Sequence, residues 1–461
     1  MIADLRPYAE YKESGLPWLG LVPRYWEVKR AKSIFQRIDE RSTTGKEELL
    51  TVSSARGIVP RKTANVTMFK AESYLGYKLC WPGDLVINSL WAWAGGLGVS
   101  RHHGIISSAY GVYRIRQDAP MTSAFVHEVV RSSSFNWELR VRSKGVWISR
   151  LQLTDISFLD APMQIPPPDE QAAIVRFLDW ASGRLERAIR AKRKVIALLN
   201  EQKQAIIHRA VTRGLDSSVA LSADTGPFLQ NLPAHWPVFR AKLLFRQVVP
   251  LIPPGAEMVT CFRDGEVTLR RNRRTTGFTN AIWELGYQGV LPGQLVLHSM
   301  DAFAGAIGVS DSSGKCSPEY VICEPAMESV LPNYYAHLMR SLALRGLFVA
   351  LCPSVRERAP RVRFNDFGSF VLPKPPESEQ QQIVDSIGKA CGRIDASLAT
   401  VRREAALLYE YRTRLVADVV TGKLDAREAA AQLPEESAPD TAEEDTDLSI
   451  ETEAADEEGV V

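Results

Sequence analysis

A chain of 461 residues has room for two or three domains, each with its own core. Hydrophobic residues at 45% and charged residues at 24% are ordinary globular proportions, which excludes a chain that is disordered or coiled-coil throughout. Residues 433–461 hold twelve Asp or Glu and no Lys or Arg, so a formal net charge of +2 conceals a body of +14, a charge that suits a polyanionic partner.

No run of about 18 apolar residues occurs, and the opening MIADLRPYAEYKESG lacks the basic-then-apolar layout of a signal peptide, so a cytoplasmic protein without a membrane segment is expected. Six cysteines are scattered with no C-x-x-C pair, which argues for reduced thiols rather than a disulfide framework or a zinc site.

The chain is written twice. Pro23, Trp26, Arg30, Ala31, Lys32 and Phe35 recur 210 positions later as Pro233, Trp236, Arg240, Ala241, Lys242 and Phe245. WPGDLVINSLWAWAGGLGVS returns as LPGQLVLHSMDAFAGAIGVS at the same offset, and PPPDEQAAIVRFLD echoes KPPESEQQQIVDSI at an offset of 209. The repeating unit is therefore a whole module.

In chain order, residues 47–160 are rich in Val, Ile, Tyr and Trp broken by Pro-Gly and Gly-Gly signals, so short strands with turns and a few helices are expected. From Asp169 to about Val211 there is no Pro, and Ile174, Leu178, Ala181, Leu185, Ala188, Val195, Leu199 and Ile206 fall in the alternating four-three spacing of a coiled-coil seam. Residues 257–372 repeat the mixed pattern. A second helix follows with Ile383, Ile387, Ala390, Ile394, Val401, Leu408, Tyr411 and Leu415 in its seam. Lys192, Gln202 and Glu404 interrupt these seams as polar layers. Pro166–Pro168 and Pro373–Pro376 precede the helices, Asp169 and Ser378 can cap them, and Gln381 completes an S-x-x-Q capping box in the second. Glu170 and Glu379 favour the positive end of the helix dipole, and Gly214 and Gly422 supply the stops. Two rods of on the order of 60 Å each are longer than a globular domain needs internally; they most simply run antiparallel and hold two globular modules apart.

The phrases YKESGLPWLGLVPRYWEVKRAKSIF, NSLWAWAGGLGVSRHHGIISSAYGVYR and IPPPDEQAAIVRFLD, the last leading to LLNEQKQAIIHRAVTRGLD, resemble the specificity subunit of type I restriction-modification systems over nearly the whole chain. The resemblance implies an α+β fold with two pseudo-symmetric target-recognition domains joined by two long antiparallel helices. It places the first recognition domain at residues 1–165, the first spacer helix at 166–216, the second domain at 217–372 and the second helix at 373–428, while the charge density and lack of aromatics of residues 429–461 predict an acidic disordered tail. It further implies binding to double-stranded DNA at a bipartite asymmetric site, docking of two DNA adenine methyltransferase subunits and association with endonuclease and translocase subunits. The second module departs from the pattern: Trp-Ala-Trp at 91–93 becomes Asp-Ala-Phe at 301–303, and the acidic tail lies outside it.

No catalytic constellation is legible. The Asn- or Asp-Pro-Pro-aromatic signature of an amino-methyltransferase is missing. Gly308–Lys315 has the wrong glycine spacing for a phosphate loop, and Cys316 stands where Ser or Thr would bind magnesium. The GGLG of residues 95–98 lacks the dinucleotide spacing and reads as a turn. His102 and His103 are adjacent rather than spaced for one metal, and are expected on an exposed loop. No cofactor and no metal are expected. Trp26 and Trp236 recur among apolar neighbours and read as core.

The candidate DNA contacts are basic residues in stretches that read as turn-rich: Arg56, Arg61, Lys62, Arg101, Arg140, Arg142 and Lys144 in the first module, and Arg270, Arg271, Arg273, Arg274, Arg356 and Arg358 in the second. Arginine grips phosphates or reads guanine in a bidentate way. A non-catalytic coiled-coil scaffold that binds other proteins is the alternative. The missing chemistry leads to one expected outcome: the purified chain alone transfers no methyl group to DNA and cuts none, and methylation appears only when a separate methyltransferase is added. Radiolabelled methyl transfer to duplex DNA by the pure chain would overturn it.

Overall fold

The computed structural model describes residues 5–64, 71, 73–145, 151–222, 228–274, 284–351 and 361–434. Arg356, Arg358, Cys352 and the acidic segment 435–461 lie outside the described residues. The described residues divide into two compact units, one of residues 5–192 with 403–434 and one of residues 193–402, so each unit contains the start of one long helix and the end of the other.

In the first unit the central antiparallel sheet has the order Phe35–Ile38, Gly111–Ile115, Leu85–Ile87, Leu97–Val99. The Leu85–Ile87 strand is buried on both faces. Because successive side chains point to opposite sides, Leu85 and Ile87 join a core with Phe35, Phe125 and Phe158, while Val86 joins a smaller one with Leu50, Ile58, Cys80, Ile106 and Val112. Glu27–Arg30 pairs antiparallel with Pro162–Ile165, so the two ends of the module close on each other just before the long helix begins.

The second unit repeats the arrangement strand for strand: Phe245–Gln247, Tyr320–Pro325, Leu295–His298, Ile307–Val309. Leu295 and Leu297 face the larger core and Val296 the smaller. Here Val238–Arg240 pairs with Val371–Pro373 ahead of the second long helix. Trp26 and Trp236 are both buried in their cores.

The long helices span Pro168–Arg213 and Glu377–Val420. Their starts differ from the expected caps. Pro168 is itself the first helical residue, a place where proline's missing N–H goes unused and its fixed φ suits the helix. Ser378 already lies inside the second helix, and Gln381 donates instead to Asp385 Oδ1 at 2.9 Å, one turn on. The ends are as expected: Gly214 at φ +71° and Gly422 at φ +76° turn the chain out of the helix. A Cβ on Gly422 would stand 2.4 Å from Pro23 Cδ, so only glycine fits there.

In the first unit Arg412 pairs with Glu186 at 3.0 Å and Lys192 with Glu404 at 2.7 Å; in the second Lys203 pairs with Asp395 at 2.6 Å. In the first unit the number falls on one helix as it rises along the other, so the two helices run antiparallel there. Lys192 and Glu404, which break the apolar seams, break them opposite each other. Ile174, Leu178, Leu185, Ile383, Ile387, Ile394 and Leu415 are buried, whereas Leu199, Ile206 and Leu408 are half-buried. Ile189, Ile207 and Leu398 are buried although the four-three spacing passes over them, and Val195 and Tyr411, which it includes, are exposed. A straight helix of 3.6 residues per turn drifts about 20° per heptad from a 3.5-residue pattern, which moves the buried stripe onto neighbouring positions.

Each helix start is fastened to its module by one glutamine. Gln171 Oε1 accepts from the Thr122 backbone N–H at 2.8 Å, and its Nε2 donates to the carbonyls of Pro120 (2.7 Å) and Pro166 (2.8 Å). Gln380 does the same with Leu331 N–H (2.9 Å), Ser329 O (3.0 Å) and Pro375 O (2.8 Å). Both side chains are fully buried. Replacing Gln171 with Leu strands three backbone groups, one buried and two part-buried, each costing about 1 kcal/mol. The expected loss is about 3 kcal/mol in urea unfolding followed by a probe in the first unit, with Gln380→Leu doing the same to the second. A loss under 1 kcal/mol would show that the glutamines fasten nothing.

Candidate nucleic-acid interface

The basic residues gather around one supersecondary frame present in both units. In the first, the hairpin Leu50–Ser53 with Gly57–Pro60 turns through residues 54–56. Helix Ser123–Arg131 packs on the neighbouring strand Leu97–Val99 and is capped by Thr122, whose Oγ1 accepts from Phe125 N. The last residue of that helix, Arg131, donates to the carbonyls of Leu97 (3.0 Å), Ser54 (2.7 Å) and Ala55 (2.7 Å), so one guanidinium holds the hairpin loop against the sheet edge. Arg56, at the tip of that loop, is exposed and reaches the Thr63 carbonyl at 2.7 Å.

The chain then bends at Arg61–Thr63, where the Arg61 N–H donates to Leu49 O and Lys62 pairs with Glu48 at 2.7 Å. The contacts recur 209 positions on: Arg270 N–H donates to Met258 O, Arg271 pairs with Glu257, and Arg340 donates to the Arg263 carbonyl at 3.1 Å as Arg131 does to Ser54. Arg273 stands 4.2 Å over the Phe262 ring and pairs with Asp264 (2.6 Å) and Glu266 (3.1 Å). Arg274 follows it, half-buried.

Two candidates lie elsewhere than expected. Arg140 and Arg142 belong to helix Ser133–Arg142, not to a turn. The Phe, Trp and Val of SSFNWELRVR favour strand locally, but Ser132 caps the segment through its Oγ, and Phe135 and Leu139 bury one face in the core. Arg142 is committed to Glu138 and, at 3.8 Å, to Asp160. Arg140 and Lys144 are exposed and make no ion pair among the described residues. Arg101 lies exposed in the turn after Leu97–Val99. Beside it His102 is half-buried and His103 is exposed, its ring 4.1 Å from that of Trp81. Among the described residues no three His, Cys, Asp or Glu side chains converge as a metal set, and no helix is long and apolar enough to cross a membrane.

Sequence reasoning missed the arginines that build the frame. Arg131 and Arg340 are spaced by 209 like the rest of the repeat, and that recurrence within each module's helical stretch was the available signal. It also missed the apolar residues that the first frame displays: Leu90, Trp91, Trp137 and Val141 are each half exposed or more.

With this geometry in view, solved structures of known proteins can be set beside it. A chain of a type I R-M system, from a structure of that system's complex assembly and conformational transition, superposes with a TM-score of 0.59 at 15% identity, covering 87% of this chain and 99% of that one. The fold is that of a type I R-M system component. Two further chains align more loosely: the HsdS subunit from Thermoanaerobacter tengcongensis (16% identity, 87% and 98% covered, TM-score 0.42) and the type I restriction-modification S subunit from M. genitalium (11%, 86% and 96%, 0.32). No protein-family model and no curated protein matches the chain.

The helix that carries Arg131 also carries two perturbed groups. Burial, aided by the Arg131 and Arg101 charges, lowers His127 to about 4, and its Nδ1 accepts from the Val99 N–H at 3.2 Å. Burial and then the Asp179 carboxylate push Glu128 up to about 7. An acid raised in the folded state costs nothing below its unfolded value near 4.5, and destabilises increasingly as pH climbs to about 7. Glu128→Gln should therefore raise the unfolding free energy by about 1–2 kcal/mol at pH 8 and by almost nothing at pH 4.5. An equal gain at both pH values, read by urea unfolding, would refute this origin.

Proposed function

We propose that this chain is the DNA-recognition subunit of a type I restriction-modification complex. Each unit's module reads one half of a bipartite, asymmetric duplex site. The chain docks two DNA adenine methyltransferase subunits, which supply the methylation chemistry, and endonuclease and translocase subunits complete the complex in the cytoplasm. The chain itself performs no catalysis. The observation that carries the reading is the recurrence, in two units of identical strand order, of one arginine-clamped hairpin frame bearing Arg61 and Lys62 in one copy and Arg270 and Arg271 in the other. The fold shared with a type I R-M component supports it.

In this reading Arg56, Arg61, Lys62, Arg101, Arg140, Arg142 and Lys144 serve the first half-site, and Arg270, Arg271, Arg273, Arg274, Arg356 and Arg358 the second. Phosphate contacts set register and base-edge contacts set sequence. The Lys62–Glu48 and Arg271–Glu257 pairs do not oppose this role: exposed ion pairs contribute about 0–1 kcal/mol, so a phosphate can replace the carboxylate. The test is an exchange of residues 47–160 for the matching segment of a relative. Sequencing of methylated sites from cells carrying the chimaera and its methyltransferase should show one half of the site changed and the other kept. A concerted change of both halves would reject the division of labour.

A further inference from the structure

We infer that the turn from Asn88 to Gly96 is the first unit's sequence-selecting contact, with Leu90 and Trp91 meeting the bases of duplex DNA as an apolar wedge. This rests on the DNA-recognition reading and adds to it a contact that none of the basic residues supplies.

The turn joins Leu85–Ile87 to Leu97–Val99, and its backbone is closed on itself. Asn88 N–H donates to Gly96 O (2.9 Å), Trp91 N–H to Asn88 O (3.0 Å) and Gly96 N–H to Trp91 O (2.8 Å). Gly95 has φ +79°, and a Cβ on Gly96 would lie 2.8 Å from Trp91 O, so the pair of glycines is what permits the closure. Beneath it Ala92 is fully buried and the Trp93 Nε1–H donates to Leu90 O at 2.9 Å. A turn tied this firmly nevertheless holds Leu90 at 50% and Trp91 at 59% exposure. The closed backbone fixes where the two side chains leave the turn.

Helix Ser133–Arg142 packs on residues 92–94 and adds Trp137 and Val141, one helical turn apart and more than half exposed. The same helix and its exit carry the exposed Arg140 and Lys144. Apolar side chains that share a helix and its exit with exposed cations favour nucleic acid over protein: protein interfaces exclude charge from their centres, whereas DNA interfaces are strongly cationic and use Leu, Phe or similar wedges at base steps.

The second unit keeps the frame and withdraws the wedge. At the matching positions stand Met300 and Asp301, and the Asp301 carboxylate is held by His298 Nδ1 at 3.0 Å and Arg263 at 3.2 Å. Trp137 and Arg140 correspond to Gly346 and Val349. The two halves of the site are therefore read by different chemistry on one scaffold.

The test uses the full chain with its methyltransferase and a library of random-sequence duplexes, comparing wild type, Trp91→Ala and Trp91→Phe. Trp91→Ala should lose about tenfold or more of the preference in one half of the selected site, in line with aromatic-to-base contact energies. The other half should be retained, affinity for unselected duplex should stay within about twofold, and Trp91→Phe should keep most of the preference. Selection by Trp91→Ala that matches wild type in both halves would overturn the inference. So would intact selection with loss of methyltransferase co-purification, which would make the turn a protein interface. If wild type selects no sequence, the recognition reading itself falls, an outcome distinct from wild-type selection that survives in Trp91→Ala.

Discussion

The constraint on which both units depend is the Glu-Gln dipeptide one turn into each long helix. Glu170 accepts hydrogen bonds from the Tyr8 hydroxyl, from Tyr25 at 3.0 Å and from Trp26 Nε1 at 3.2 Å, while the neighbouring Gln171 binds the backbone at residues 120, 122 and 166. Glu379 and Gln380 repeat the device on Trp236 and on residues 329, 331 and 375. Apolar packing is non-directional and would let a helix roll against its module. Buried hydrogen bonds do not, because a roll leaves several groups without partners at once. The carboxylate also faces the positive end of the helix dipole, so its charge is met from two sides. Fixing the roll at each helix start fixes which face carries Glu186 and Lys192 in the first unit, and Asp395 in the second.

Much of this was legible. The 209–210 offset, the two helices and their glycine stops follow from period and from residues with few conformational options. Glu170 and Glu379 were readable as helix-start acids. Their larger role was not, because the donors lie about 145 positions away in sequence and only the folded module brings them near. Gln171 and Gln380 were passed over for Gln381, since local rules see a capping box but not a reach to a distant backbone. The helix over Arg140 and Arg142 was missed for a related reason: its Trp and Val residues favour strand locally, and burial of Phe135 and Leu139 outweighs that preference.

Arginine shows why composition could mark a partner but not a contact. Arg131 and Arg340 are half-buried and spend their donors on loop carbonyls, and burial lowers their basicity without removing their charge. Arg142 and Arg273 are held by carboxylates. Arg140 stays exposed. These residues are indistinguishable in a one-dimensional count of positive charge, yet the first two shape the hairpin, the next two stiffen its surroundings, and the last meets solvent. A basic body therefore overstates the number of side chains available to a polyanion.

The duplicated frame explains how one chain can carry two different readers. The Trp26 and Trp236 cores, the helix-start glutamines and the clamping arginines recur in register. The turns at 88–96 and 298–306 keep their positive-φ glycines, Gly95 and Gly305, and so their path. What differs is the cargo on that path: Leu-Trp in one copy, Met-Asp in the other. Because the backbone is closed by its own hydrogen bonds in both, side chains at its tip change without disturbing the core beneath. A turn whose shape is independent of its outward residues is the kind of place where specificity can diverge while stability is conserved. On the proposed reading, that separation is what lets a gene duplication yield an asymmetric site.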